Sequence, residues 1–268
     1  MFEEKLVSSF DGTKLNFRKD IADNAKATIV IVHGLCEHLG RYDYVTKKFV
    51  EAGFNVYRFD HRGHGKSEGA KAFYSNYEEI AKDVKNFVDI ALAENKGKPV
   101  FLLGHSMGGH AVTLYATKNP STVSGVITSG ALTRYNHELA GPLPLPLPAD
   151  HYLPNELGDG VCSDPAVIKA YNEDPLVLRE FSVGLLNCIN DGVNWLKANA
   201  EKFVEPVLIL HGANDGLVSY LDSCDLYKEI SSDDKTLHIY SKLGHEIFNE
   251  PCKDELLEET ILWINKRI

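Results

Sequence analysis

A serine stands between two glycines in the segment Gly104-His105-Ser106-Met107-Gly108, which fits the pattern G-x-S-x-G. The apolar run Val100–Leu103 precedes this segment, and the helical pattern Met107–Lys118 follows it. A serine on a sharp turn from strand to helix has an exposed hydroxyl, and the helix N-terminus directs N–H groups towards developing negative charge. The small residues on either side, Gly104 and Gly108, leave room for such a turn. The segment therefore predicts a nucleophilic serine at position 106.

A serine hydroxyl is a weak nucleophile, so it needs a histidine base and a carboxylate that orients the histidine. His245 follows the apolar run Thr236–Tyr240, whereas His238 lies inside that run and should project from a sheet face. Asp215 is the first carboxylate after the preceding run, Val207–His211. The resulting chain order of serine, aspartate and histidine is that of α/β-hydrolase triads. We therefore predict Asp215 as the acid and His245 as the base.

Acyl transfer also needs two backbone N–H groups that bind the oxyanion. One should be the N–H of Met107, directly after the serine, and the other should come from the loop after the first buried strand. The apolar run Ala27–His33 ends at that loop, so Leu35 is the candidate. Gly34 would let the loop turn inward. His105 is expected to pack as support for the turn and not to serve as a second base.

The elements that must position these residues alternate along the chain. Two extended runs flank Asp11-Gly12, a strong hairpin signal, and six further apolar runs read as buried strands separated by helical patterns. This alternation predicts an α/β fold with an eight-stranded, mostly parallel sheet. The hairpin runs are Leu6–Phe10 and Lys14–Arg18; the buried runs are Ala27–His33, Phe54–Phe59, Val100–Gly104, Gly125–Ser129, Val207–His211 and Thr236–Tyr240; the helical stretches are Tyr42–Ala52, Tyr77–Ala93, Met107–Lys118, Ser219–Ile230 and Asp254–Lys266.

One interval, residues 134–204, interrupts the alternation. It opens with five prolines between positions 142 and 154, and helix-like stretches follow at Pro165–Tyr171 and Leu176–Asn190. We predict that it is a cap, inserted between the sixth and seventh strands, over a site formed by a core of residues 1–133 and 205–268. The alternative is a surface excursion that packs only on itself.

Composition excludes several classes of function. The chain has 268 residues, with 38 acidic and 28 basic side chains and a net charge of −10, which argues against nucleic-acid binding and against a polybasic membrane anchor. No apolar run approaches the roughly 18 residues of a membrane helix, and the first residues lack a secretory signal. The five scattered cysteines form no C-x-x-C pair, which favours free thiols in the cytoplasm. The polar cluster Asp60–His64 is expected to hydrogen-bond within its own turn, so we predict neither a metal nor a cofactor.

Several segments resemble those of a known family, the monoacylglycerol lipases and related lysophospholipase-like serine hydrolases of the α/β-hydrolase superfamily. The segment His33–Tyr42 resembles the family's HGxGEHxGRY, and Gly104–Gly109 matches its GHSMGG. The similarity extends over nearly the whole chain and is weakest across Asn136–Ser163. One departure is Cys36, which stands where the family usually has glycine. Further similar segments are Phe59–Gly69, Tyr171–Leu176, Gly212–Asp215 and Gly244–Glu246.

The resemblance implies the triad Ser106, Asp215 and His245, with oxyanion donors at Leu35 and Met107. It also implies that Glu37 and Arg41 form a charged pair that shapes the loop near those donors. The expected activity is hydrolysis of a neutral acyl ester such as a monoacylglycerol through an acyl-enzyme, with no cofactor, and with transient contact between the cap and a lipid interface.

Other functions on the same fold stay open. They are an esterase for lysophospholipids or for short-chain or feruloyl esters, an aminopeptidase or amidase with an acidic pocket, and a non-catalytic receptor. The interval 134–204 carries ten acidic and five basic residues, half of the net charge, and this surplus favours a neutral substrate over a phosphate-bearing one. Oligomeric state is not indicated by any feature of the sequence.

Overall fold

The computed structural model describes residues 2–268, and its main feature is an eight-stranded sheet. Two strands form the antiparallel hairpin at one edge, and the second of them also pairs antiparallel with its other neighbour in the sheet. The remaining six strands pair with one another in parallel. The predicted fold class is therefore confirmed. In sheet order the strands are β1 (Phe2–Ser8), β2 (Lys14–Asp20), β4 (Phe54–Phe59), β3 (Ala27–Val32), β5 (Val100–His105), β6 (Gly125–Ser129), β9 (Val207–Gly212) and β10 (Lys235–Tyr240).

Helices cover both faces of the sheet, which explains why the central strands are apolar throughout. Successive side chains of β3 point to opposite faces, so Val30 and Val32 pack in one apolar cluster while Ile29 and Ile31 pack in another. The first cluster includes α2 (Tyr77–Glu94), α3 (Met107–Lys118) and α6 (Tyr220–Glu229), and the second includes α1 (Asp43–Glu51) and α7 (Lys253–Asn265).

The interval 134–204 lies between β6 and β9, the sixth and seventh strands of the main sheet. Its first part, up to residue 151, has no regular element, as the prolines predict. It then contains the paired strands β7 (Tyr152–Pro154) and β8 (Glu180–Ser182) and two helices, α4 (Pro165–Glu173) and α5 (Val183–Asn199). We call residues 134–204 the insertion.

The prediction of a helix over Leu176–Asn190 was wrong in its position. The Ser182 hydroxyl accepts a hydrogen bond from the backbone N–H of Leu185, so the helix begins at Val183 and continues to Asn199. The residues before Ser182 are held by β7 instead, where Phe181 pairs with Leu153. The leucines and phenylalanine at 178–189 follow a helical spacing, but the pattern contains no signal for this strand pairing.

No helix among residues 2–268 is long and apolar enough to cross a membrane. Within the same residues, no group of three or more histidine, cysteine, aspartate or glutamate side chains is arranged to hold a metal ion. The Asp60 carboxylate instead accepts hydrogen bonds from Leu39 N, Asn16 Nδ2 and Lys66 N, at 2.7–2.9 Å. The Asp60 carboxylate therefore has partners in its own turn, in the loop of Leu39 and in β2.

Candidate active site

The carboxyl ends of the parallel strands meet at a cavity of about 420 Å³. Ser106 and His245 line it, together with both predicted oxyanion residues, Leu35 and Met107. The opposite wall is formed by the insertion and is mainly apolar. The residues that the insertion contributes include Tyr135, Leu139, Leu153, Leu157, Val161, Phe181, Leu186 and Ile189.

Ser106 stands at the sharp turn between β5 and α3, with a backbone φ of +54°. This left-handed conformation costs a non-glycine residue about 1–3 kcal/mol, and packing must hold it in place. The supporting contact is close: a Cβ atom on Gly108 would lie 2.0 Å from the carbonyl oxygen of Val32. Helix α3 can therefore approach β3 only because Gly108 is a glycine. Gly104, the last residue but one of β5, leaves similar room, because a Cβ atom there would lie 2.3 Å from the carbonyl oxygen of Gly108.

His245 and Asp215 are joined by a hydrogen bond of 2.6 Å between Nδ1 and Oδ2. Because Nδ1 donates to the carboxylate, Nε2 is the imidazole atom left to accept a proton. Burial disfavours the charged imidazolium, but the charge and hydrogen bond of Asp215 outweigh it and raise the pKa of His245 above its ordinary value. Although burial opposes ionisation of Asp215, His245 and His211 lower its pKa well below the usual range.

Four hydrogen bonds hold the Asp215 carboxylate. Oδ1 accepts from the backbone N–H groups of Leu217 and Val218, each at 2.9 Å, and Oδ2 lies 3.0 Å from Nε2 of His211. His211 is buried, and its other nitrogen lies 2.7 Å from the Ser223 hydroxyl. Sequence reasoning missed His211, although its position at the end of β9, four residues before Asp215, was the available signal.

The backbone N–H groups of Leu35 and Met107 have no protein acceptor within residues 2–268. Both residues line the cavity beside the serine, so their amides can donate to a bound group. Gly34 allows this approach, because a Cβ atom there would lie 3.1 Å from the Cβ of Ser106. Glu37 holds the same loop, since its carboxylate accepts from Gly34 N at 2.5 Å and from Tyr42 Oη at 2.7 Å.

Arg41 links this loop to the loop of His245. Its guanidinium bonds Glu37 at 2.9 Å and reaches both carboxylate oxygens of Glu246, one of them at 2.9 Å. All three side chains are nearly buried. Burial opposes ionisation of Glu37, but the charge of Arg41 lowers its pKa to about 2, so the carboxylate stays charged. The partner Glu246 was not predicted; the contact joins residues 205 positions apart.

His105 packs against His245, with ring centroids 4.5 Å apart. Its Nδ1 lies 3.0 Å from the carbonyl oxygen of Ser129, and burial lowers its pKa to about 3. Burial therefore disfavours the charged form of His105. His238, in contrast, is exposed on β10 and pairs with Glu259, away from the cavity.

Cys36 is buried, with a φ of +64°, a conformation that favours glycine. This explains why the resembling family usually has glycine there. Burial raises the pKa of the Cys36 thiol, as does the nearby charge of Glu37. The thiolate needed for reaction with thiol reagents is therefore disfavoured.

Comparison with known proteins identifies the family of this chain. The profile of the family described as "Serine aminopeptidase, S33" matches residues 23–252. A monoacylglycerol lipase from Mycolicibacterium smegmatis is 32% identical over 89% of this chain and 88% of its own length. A monoglyceride lipase from Mus musculus is 33% identical over 91% and 84%.

Among solved structures, a monoacylglycerol lipase from Paleococcus ferrophilus superposes with a TM-score of 0.83 at 31% identity, covering 95% of this chain and 99% of that one. The resemblance seen in the motifs is thus confirmed over most of the chain. The chain belongs to the serine aminopeptidase S33 family and, within the α/β-hydrolase superfamily, to the family of the monoacylglycerol lipases.

Proposed function

We propose that this protein is a serine carboxylester hydrolase that cleaves a neutral acyl ester, with monoacylglycerol as the substrate class, through an acyl-enzyme. The observation that carries the proposal is the 2.6 Å hydrogen bond between Asp215 and His245 in a cavity that Ser106 also lines. The names of the relatives support the choice of monoacylglycerol.

In this mechanism Nε2 of His245 takes the proton of the Ser106 hydroxyl as its oxygen bonds to the ester carbonyl carbon. Asp215 holds the imidazole in the correct tautomer and stabilises its charged form. The N–H groups of Leu35 and Met107 bind the oxyanion, and one such donor was worth about 3–4 kcal/mol in another serine hydrolase. His245 then protonates the leaving alcohol, and water, activated by the same histidine, releases the acid from Ser106.

The charge of the cavity supports a neutral alcohol group. Its described lining residues include no lysine or arginine that could pair with a phosphate, which argues against lysophospholipids. Three carboxylates line it, and two of them, Glu37 and Glu246, are already paired with Arg41. For the aminopeptidase activity in the family's description, this pairing leaves neither Glu37 nor Glu246 free to bind a substrate amine. Glu156 is the third carboxylate, and amino-acid p-nitroanilides test whether it serves an amine.

We also propose that the insertion serves as the cap and touches lipid interfaces transiently. Two of its leucines support this contact: Leu139 is 48% exposed at the mouth of the cavity, and Leu147, in the uncharged segment 139–149, is 44% exposed. Co-sedimentation with neutral lipid vesicles tests it. The variant Leu139→Asp with Leu147→Asp should bind less than the unaltered protein, and equal binding would refute the contact.

The cytoplasm is the proposed location, supported by the cysteines. All five thiols are free, and three of them are buried. Cell fractionation of the natural host, with an antibody to this chain, tests the location. Recovery from a secreted or envelope fraction would contradict it.

The test of the activity is a turnover assay with p-nitrophenyl esters of graded chain length, followed by monoacylglycerols, lysophospholipids and feruloyl esters. Ser106→Ala should lower kcat by about 10⁶-fold, the loss seen when the nucleophile of another serine hydrolase is removed, and should abolish labelling by fluorophosphonates. Retained activity in this variant would overturn the triad. Absence of turnover by the unaltered protein on every ester would favour the non-catalytic receptor.

A further inference from the structure

A buried carboxylate that the mechanism does not use lies next to the loop of the base. Glu250 has 0% exposure, and its Oε1 accepts hydrogen bonds from Gly244 N at 2.8 Å and from Ser163 N at 3.1 Å. Its Oε2 bonds the hydroxyl of Ser163. Gly244 directly precedes His245, whereas Ser163 belongs to the insertion. One side chain therefore connects the insertion to the loop of the base.

The main chain makes a second connection on the other side of the histidine. The backbone N–H of Glu246 donates to the carbonyl oxygen of Val161 at 2.7 Å. His245 thus stands between two residues that are both bonded, directly or through Glu250, to the segment Val161–Ser163. Neither residues 161–163 nor residues 243–246 lie within a strand or an α-helix. These hydrogen bonds, and not those of a regular element, therefore hold the two segments together.

Glu250 has no lysine, arginine or histidine partner in the described chain, unlike Glu37 and Glu246. A buried carboxylate is costly unless it is fully hydrogen-bonded. Two of its three hydrogen bonds come from the insertion. If the insertion moved away from the loop, Glu250 would keep only Gly244 and would have to be rehydrated.

Resting on the function proposed above, we propose that Glu250 is a positioning residue that fastens the insertion to the loop of His245. The orientation of the imidazole then depends on the insertion being in place. Val161 also lines the cavity, so the segment that encloses substrate is the segment that restrains the base. Enclosure of substrate and ordering of the base occur together, and a displaced insertion leaves the histidine loop loose.

The experiment combines hydrogen–deuterium exchange with steady-state kinetics on Glu250→Gln and Ser163→Ala. Exchange is followed in peptides that cover residues 161–163 and 243–246. We expect Glu250→Gln to accelerate exchange in both segments and to lower kcat on the order of tenfold with little change in KM, because the amide keeps one acceptor oxygen but lacks the charge that strengthens these hydrogen bonds. Ser163→Ala removes only the hydroxyl contact, so the same changes should be smaller.

Glu205→Gln is the matched control. Glu205 is also a buried carboxylate that accepts from a backbone N–H, that of Ser121 at 2.6 Å, but it lies just before β9, at the opposite edge of the sheet from the cavity. This variant should leave kcat and the exchange of both segments unchanged.

Wild-type exchange in both segments of both variants, or acceleration confined to one segment, would overturn the proposal. Should Glu250→Gln fail to fold, Ser163→Ala decides the question on the same readouts. The exchange measurement needs no substrate. If the unaltered protein hydrolyses no ester, the proposed function fails while the role of Glu250 is still decided by exchange.

Discussion

The Asp215 carboxylate is kept charged and correctly oriented by the groups that hydrogen-bond to it. Its Oδ2 is shared by His245 at 2.6 Å and His211 at 3.0 Å, so a second imidazole contacts the same oxygen as the base. Nε2 of His211 also lies 3.0 Å from the carbonyl oxygen of Val218. Because that oxygen and the carboxylate are both acceptors, Nε2 must carry the proton, and Nδ1 accepts from Ser223. Contacts other than the one with His245 therefore hold the Asp215 carboxylate in place.

The pH dependence of the reaction follows from the pKa of His245. The imidazole must be neutral to take a proton, so kcat/KM falls as pH drops through this pKa, which Asp215 raises above the ordinary value of about 6.5. Asp215→Asn removes the charge that opposes the effect of burial. We expect kcat to fall about 10⁴-fold and the acid limb of kcat/KM to move to lower pH. A pH–rate profile of both proteins checks this, and an unmoved or higher acid limb would contradict it.

Individual residues differ in how well the sequence indicates them. Ser106, Asp215 and His245 could be predicted because each follows a strand, and the carboxyl ends of parallel strands share one edge of a sheet. Glu246 and Glu250 could not be predicted, since their contacts with Arg41 and Ser163 span 205 and 87 positions. No local pattern indicates such pairs, because the fold alone brings these loops together.

Elements were predictable where a single signal dominated. The strand Phe54–Phe59 and the helix Met107–Lys118 have the predicted bounds, because a continuous apolar run between turn signals allows few other structures. The elements of the insertion were harder to predict from the sequence. The helix α5 was predicted to begin too early, because the helical spacing of apolar residues begins before Ser182. The pairing of β8 with β7 could not be predicted from local sequence, because the paired residues are about 30 positions apart.

The start of the insertion is held by helix α6, which follows Asp215 in the chain. The buried carboxylate of Asp222, in the first turn of α6, accepts four consecutive backbone N–H groups, from Thr133 to Asn136, at 2.8–3.0 Å. Tyr135, one of these donors, lines the cavity. This anchor explains why an irregular, proline-rich segment leaves β6 in a defined direction.

Asp222→Ala should therefore destabilise the fold and also make the wall of the cavity near Tyr135 less rigid. We expect the free energy of unfolding to fall by about 3 kcal/mol, since buried N–H groups lose their acceptor, and KM for long-chain esters to rise more than KM for short ones. Urea unfolding and esters of graded chain length measure the two effects. The control is Asp225→Ala on the same helix, which loses only a bond to Asn136 Nδ2. Equal effects of the two substitutions would refute the anchor.

At the scale of the whole molecule, the insertion is continuous with the core and does not pack only on itself. Leu185, Leu186 and Val193 of α5 belong to the same apolar cluster as Val30 of the central strand β3. Helix α5 also packs on α2 and α3. A smaller cluster around Val161 and Tyr171 is formed by the part of the insertion before α5, with Leu217 of the core at its edge. Helix α5 should therefore be thermodynamically part of the core, and any lid motion should be confined to the part of the insertion before it.

Leu185→Ala tests this continuity. Leu185 is fully buried and does not line the cavity, so the substitution removes packing without altering the site. If α5 belongs to the core, the free energy of unfolding should fall by about 2–5 kcal/mol while circular dichroism and tryptophan fluorescence still report one coincident transition. Leu147→Ala, at an exposed leucine of the same insertion, should change stability by less than about 0.5 kcal/mol. If instead Leu185→Ala produced an early transition of α5 alone, with the main unfolding midpoint unchanged, the insertion would be an independently folding unit. Because Trp195 lies on α5 and Trp263 on α7, mutating either tryptophan in turn identifies which region unfolds at each step.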